Sequence, residues 1–166
     1  STLFPYTTLF RSSTDDFPKP RIFMEPGRSI VGDAGLTLYT VGGVKIIEGY
    51  RSYITVDGGM TDNPRYALYK SPYSVMIANK ADKSRDFNCT VAGRCCESGD
   101  RIQEDVNVAS PEPGDILAVL STGAYNYSMA SNYNRLGRPP IVMIKDGKDR
   151  LVVRRENLED LISCDV

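Results

Sequence analysis

Four short stretches carry more reactive side chains than packing requires. The stretch GRCCESGD, Gly93 to Asp100, sets two cysteines against a glutamate between glycines. A thiol there can serve as an acid, a nucleophile or a small apolar filler. Neighbouring extended residues point opposite ways, so only one of Cys95 and Cys96 can share a wall with a given partner. Core filling is the default for Cys95. In EPGR, Glu25 to Arg28, Gly27 lets a ligand approach the backbone, and an amide beside a helix start suits a phosphate or carboxylate. The plainer alternative there is a turn with a surface Glu25–Arg28 pair. In NPRYALY, Arg65 and Tyr69 lie four residues apart on one helical face, a guanidinium fork with a phenol as second donor. The alternative is a solvated Arg stacked on a Tyr. In TGAYNYSMASNYN, Tyr125 follows Gly and Ala that leave its hydroxyl accessible, unless it is a buried aromatic with a satisfied hydroxyl.

Composition narrows the chemistry further. Among 166 residues there is no histidine, which excludes a Ser/His or Cys/His pair within the chain. Four cysteines without a C-x-x-C spacing do not point to a metal site or a secreted disulfide framework. A net charge of −1 gives no field favouring nucleic acid or an anionic membrane. The apolar runs, such as GDILAVL, are too short to span a bilayer, so a soluble chain is expected.

The elements that must position these groups are mostly strands. RIFMEPGR predicts a short strand ending in a Pro-Gly turn, and SIVGDAG a short helix with Ser29 as cap. LTLYTVGGVKII, RSYITVDGG, YSVMIANK, DFNCTVAG, DRIQEDVNVAS and PEPGDILAVLS predict six strands. TDNPRYALYK has a Thr/Asp cap signal and predicts a short helix or turn, and AYNYSMASNYN a helical turn followed by a loop. PPIVMIKDGKDRLVVRRE predicts a hairpin turning at Asp-Gly, and ENLEDLISCDV a short amphipathic helix. Many short strands with few helices indicate a β-rich (α+β) chain with a Greek-key-like barrel or sandwich. The opening strand–helix step reads differently, as one step of an α/β layer, with a boundary near Thr37 to Val41.

Residues 1–12, STLFPYTTLFRS, resemble the in-frame translation of a common sequencing adapter. They are set aside as an adapter scar, and the natural chain is expected to enter mid-gene near Ser13, as the C-terminal part of something longer.

From about Phe23 onward, EPGRSIVG, VDGGMTDNPRYALY, CCESGD and TGAYNYSMASNYN together resemble, in family order, the C-terminal part of the diaminopimelate decarboxylase family. That family uses pyridoxal 5'-phosphate and has the alanine-racemase-like fold. The resemblance implies that residues 13–38 are the last strand and helix of an incomplete TIM barrel that binds the cofactor, and that 39–166 are the C-terminal β-domain. It implies that Glu25 faces the pyridine nitrogen, and that Pro26, Gly27, Arg28 and Tyr125 belong to the cofactor site. It makes Arg28, Arg65, Tyr69, Glu97 and Tyr125 the residues around meso-diaminopimelate. Cys96 becomes the general acid that protonates the substrate carbon after CO₂ leaves, and Glu97 the partner of the distal ammonium.

The same resemblance implies a cytoplasmic homodimer in which the Cys96–Glu97 loop completes the neighbouring site. The family's Schiff-base lysine and its ring-stacking histidine lie earlier in the family pattern, so this chain alone is expected to be inactive. Two alternatives stay open on the residues: a related decarboxylase of ornithine, arginine or a carboxylated polyamine, and a non-catalytic β-domain binding an anion or a partner. Ornithine-type relatives usually have Asp-Gly where this chain has Glu97 and Ser98.

Overall fold

A computed structural model describes residues 23–166. The adapter reading of residues 1–12 and the first two residues of the expected RIFMEPGR strand lie outside them.

The described chain opens with an irregular segment, 23–27, then a one-turn helix α1 (Arg28–Val31) that tightens into a 3-10 turn, Gly32–Ala34. No strand forms over 23–27, where Phe23 and Met24 are exposed. The segment belongs to neither of the two sheets described below. Gly27, not Ser29, occupies the N-cap of α1, and no side chain caps it.

Strand β1 (Leu36–Ile47) is followed by β2 (Arg51–Val56), helix α2 (Arg65–Tyr69), β3 (Val75–Ile77), β4 (Phe87–Ala92), β5 (Arg101–Val108) and β6 (Ile116–Leu120). These six strands form one sheet in the order β3-β6-β1-β2-β4-β5. The edges β3 and β5 approach each other, and Gln103 on β5 accepts the amide of Tyr73 at 2.7 Å, so the sheet curls into a nearly closed barrel. β1 belongs to both halves. Leu36 to Thr40 pair with β6, and from Val41 onward the strand pairs with β2, with an irregularity between Val41 and Gly43.

Alternation sorts the side chains. Tyr39, Val41, Ile54, Val56, Val75 and Ile77 point inward, with Val91, Ile102 and Val108 opposite them. β6 is covered on both faces, since Leu117, Ala118 and Val119 are all buried in succession, and its sequence is accordingly a continuous apolar run. Cys89 is the thiol that fills the core; burial pushes it up to about 12, so it stays protonated.

Past the barrel, helix α3 (Asn126–Met129) leads into a 3-10 turn, Tyr133–Arg135. A separate hairpin, β7 (Ile141–Lys145) and β8 (Lys148–Val153), turns on Asp146 and Gly147, both with positive φ as a two-residue hairpin turn demands. Helix α4 (Leu158–Ile162) starts from a capping box between Asn157 and Asp160. The Asp160 carboxyl is held well below its usual range, chiefly by hydrogen bonds from Arg154.

Topology decides where the polar stretches go. β2 and β4 run parallel, so the loops after Val56 and after Ala92 leave the same end of the barrel. β6 runs antiparallel to the opening half of β1, with Leu36 opposite Leu120, so the loop after Leu120 and the turn before Leu36 also open there.

Candidate functional site

Loop 93–100 is held from several directions. Its amides are accounted for in order: Gly93 donates to Asp100 O at 3.0 Å, Arg94 to Gly58 O at 3.0 Å, and Cys95 to Asp100 Oδ2 at 2.7 Å. Cys96 donates to Asn134 Oδ1 at 2.7 Å, and Glu97 to Cys95 O at 2.8 Å. Pairing of five successive amides is what a loop needs to keep one shape. Cys95 is half-buried and Cys96, at the centre of the turn closed by the Glu97 amide on Cys95 O, is exposed. Burial, followed by the neighbouring Asp100 carboxylate, pushes the Cys95 thiol up to about 11. Glu97 is exposed and folds back, its Oε1 accepting the Gly99 amide at 3.1 Å and the Ser98 hydroxyl at 3.3 Å.

Two buried carboxylates organise the loop that faces it. Asp100 also accepts the Met60 amide at 2.7 Å, and it lies in a hollow made by two glycines. A β-carbon at Gly59 would come within 2.5 Å of the Asp100 carboxylate, and one at Gly93 within 2.2 Å. Asp62 accepts the Gly59 amide at 3.0 Å, the Thr61 hydroxyl and the Tyr39 phenol, while the Tyr39 ring lies against Gly58. Burial raises the Asp62 carboxyl above its usual range and, with the Asp62 charge, raises the Tyr39 phenol well above its own. The Thr/Asp signal expected to cap α2 is thus spent on this turn; Pro64 stands at the N-cap, and no side chain caps the helix.

The stretch 121–135 joins the other pieces. Gly123 donates to Gly32 O at 2.9 Å, and its Cα packs so closely on Gly35 that a β-carbon there would lie 2.5 Å away. Arg28 donates from Nη1 to Ala124 O at 3.0 Å and stands 5.4 Å from the centroid of the Tyr125 ring. Tyr125 has φ +66, a left-handed backbone unusual for a bulky residue, and is 51% exposed. Its hydroxyl lies directly over Gly27, where an added β-carbon would be 2.1 Å from it, and has no hydrogen-bond partner among the described residues. Further along, Asn126 donates to Asn63 Oδ1 at 2.8 Å, and Ser131 to Thr61 O at 2.8 Å.

Arg65 stacks on Tyr73, with 5.1 Å between guanidinium carbon and ring centroid, not on Tyr69. Tyr69 is exposed and holds no partner among the described residues. Helix α2 is fixed from beneath, where Tyr66 donates to Glu104 on β5 at 2.7 Å and Glu104 also takes Arg51 and Arg101. Those contacts, the Tyr66 hydroxyl first, hold the Glu104 carboxyl below its usual range.

Gly27, Arg28 and Tyr125 therefore form one cluster. Cys96 and Glu97 stand on a second loop, tied to 121–135 through Asn134, and Arg65 and Tyr69 on a third element at the same end. Pro26 and Glu25 are exposed beside the first cluster, and Glu25 makes no ion pair with Arg28. Reasoning from sequence missed Tyr39, Asp62, Asp100, Asn126 and Asn134. The paired glycines in VDGGM and the Gly93–Asp100 spacing were the available signals, since a carboxylate that fills glycine hollows leaves only glycines to read.

The model of the pyridoxal-dependent decarboxylases, C-terminal sheet domain, matches residues 14–123. The diaminopimelate decarboxylase of Bacillus subtilis (strain 168) is 51% identical over 150 residues, covering 90% of this chain and 34% of that protein. The one from a Synechocystis species is 51% identical over 150 residues, covering 90% and 32%. A crystal structure of the M. jannaschii diaminopimelate decarboxylase in complex with L-lysine superposes with a TM-score of 0.79 at 35% identity, covering 86% of this chain and 32% of that one. The chain spans about a third of the length of the relatives it matches.

Proposed function

The chain belongs to the pyridoxal-dependent decarboxylases through their C-terminal sheet domain, and we propose that it supplies this part of an enzyme converting meso-diaminopimelate to L-lysine and CO₂. The observation that carries the reading is the cluster of Gly27, Arg28 and Tyr125. An unpartnered phenol on a left-handed backbone, a glycine kept clear for it and a guanidinium alongside are a fit for a phosphorylated cofactor.

Pyridoxal 5'-phosphate, when bound, supplies an aromatic ring that accepts the electron pair left behind by CO₂. The chain's own groups then have distinct tasks. Glu25 would keep a proton at the pyridine nitrogen, and Gly27, Tyr125 and the backbone about Pro26, with Arg28 alongside, would hold the phosphate. Arg28 and Arg65 fork onto the distal carboxylate of the substrate, with Tyr69 as a second donor. Glu97 gives up its contacts with Gly99 and Ser98 to take the distal ammonium. The exposed Cys96 thiol delivers a proton to the carbon that has lost CO₂. A far end bearing both a carboxylate and an ammonium calls for cationic and anionic anchors together, which favours diaminopimelate over ornithine or arginine.

In this reading residues 13–38 are assigned to the cofactor-binding barrel of the whole enzyme and 39–166 to the β-domain. The whole enzyme is a cytoplasmic homodimer whose Cys96–Glu97 loop serves the neighbouring site. The chain alone, without histidine or the family's Schiff-base lysine, is inactive. The test grafts residues 23–166 onto the remaining two-thirds of the Bacillus subtilis relative and assays CO₂ release. Turnover of meso-diaminopimelate is expected, falling at least about 100-fold in Cys96→Ala. Preferred turnover of ornithine, or full turnover without Cys96, would sink the reading.

A further inference from the structure

Two consecutive amides, those of Cys95 and Cys96, are each gripped at 2.7 Å by a side-chain oxygen, and the two oxygens come from different parts of the chain. Asp100 closes the loop that carries the cysteines. Asn134 lies some forty residues further on, in the 3-10 turn after α3. We infer that Asp100 and Asn134 are positioning residues that sort the adjacent thiols, holding Cys95 inward and presenting Cys96 outward.

Three observations converge on this assignment. First, Asp100 is not simply a tolerated buried carboxylate. Both its oxygens are used, Oδ1 on Met60 N and Oδ2 on Cys95 N, and two glycines leave the room it fills. It therefore fixes the cysteine loop to the turn at Gly59, a fixed point that Asp62 itself braces. Second, Asn134 sits at φ +55 and ψ +23, a left-handed conformation that asparagine tolerates better than most residues, and this aims its side chain at the loop. Third, with successive amides held, the peptide plane between the two cysteines cannot turn over. Those two bonds fix the backbone from which both thiols project, and a loop freed of either one can re-aim its side chains by rotation about φ and ψ. The surroundings reinforce the sorting, since the inward thiol is half-buried beside Asp100. Assigning chemistry to the outward thiol rests on the decarboxylase reading; the sorting itself does not.

The experiment therefore needs no turnover. The 166-residue chain is treated with limiting iodoacetamide at pH 8. Cys95 and Cys96 share one tryptic peptide, so fragment spectra resolve the site of alkylation. In the parent, Cys96 reacts faster than Cys95. Asn134→Ala removes the acceptor at an exposed position and is expected to lower the Cys96-to-Cys95 rate ratio about fivefold, the scale of one ordinary hydrogen bond. Asn134→Asp keeps an oxygen in place and restores the parental ratio, which a general loosening of the fold would not do. Asp100→Asn keeps only one acceptor for two amides, and if folded by circular dichroism it lowers the ratio as well. An unchanged ratio in Asn134→Ala, or in folded Asp100→Asn, overturns the proposal. So does a ratio lost to the same degree in Asn134→Asp. A parental chain that sorts its thiols but forms an inactive graft refutes the decarboxylase reading alone.

Discussion

The hydroxyl of Tyr125 and the α-carbon of Gly27 share one small space: a β-carbon at Gly27 would lie 2.1 Å from that oxygen. The far end of a side chain can move, so an added methyl does not break the fold. It displaces the phenol from its place beside Arg28. Gly27→Ala in the grafted enzyme is accordingly expected to weaken pyridoxal phosphate at least about tenfold, the loss of one hydrogen bond to a charged oxygen. Absorbance titration with the cofactor measures it. An unchanged affinity would mean that the phenol does not serve the phosphate.

Tyr125→Phe separates that role from packing. The hydroxyl has no partner among the described residues, so its removal leaves no orphaned group within the chain. The melting temperature of the 166-residue chain is expected to match the parent's, whereas cofactor affinity of the graft falls as it does for Gly27→Ala. A clear drop in melting temperature would show the hydroxyl to be structural.

Gly93 and Gly147 make a useful contrast. Gly147 has φ +72 with open space around it, so Gly147→Ala incurs only left-handed backbone strain, about 1–2 kcal/mol. Gly93 has no such dihedral demand, yet its β-carbon would come within 2.2 Å of the buried Asp100 carboxylate. Because Asp100 is tethered to two amides, it cannot simply swing aside. Gly93→Ala is expected to cost about 2–4 kcal/mol, as overpacking together with at least one broken hydrogen bond. Urea midpoints of the two variants decide the order; equal losses would mean that the Asp100 hollow is compliant.

Most of the framework was legible because its signals are local. Alternation placed the strands from LTLYTVGG to GDILAVL, Asp146-Gly147 placed the hairpin turn, and the apolar repeat of Leu158, Leu161 and Ile162 placed the last helix. Continuity of β6 was readable because a strand covered on both faces is apolar throughout. The failures concern partners distant in sequence. Thr61 and Asp62 look like a helix cap, but Asp62 is claimed by Tyr39 and Gly59. Residues 23–27 look like a strand, but they stand outside both described sheets. Asn134 carries no local pattern, because the amide it accepts, that of Cys96, is brought to it by the fold.

Glu104 offers a test through pH. Its carboxylate takes the Tyr66 hydroxyl, Arg101 and Arg51, and its folded pKa lies below the ordinary value. When the folded value is the lower one, the unfolded chain binds the proton first as pH falls. The contribution of Glu104 is therefore complete above the unfolded pKa of about 4.3 and is lost as pH drops through the folded one. Asp62, raised by burial, works in the opposite sense: its contribution is fullest below its unfolded pKa and fades as pH rises through the folded one. The parent's own profile is thus blunted, and the informative quantity is the difference between parent and Glu104→Gln. That difference is expected to be about 1 kcal/mol near pH 7 and to shrink below about pH 4, read from urea midpoints at each pH. Tyr66→Phe removes the leading cause of the shift and should narrow the same window. A difference that stayed constant from neutral to acid pH would show that Glu104 holds α2 in place by shape, with its charge immaterial.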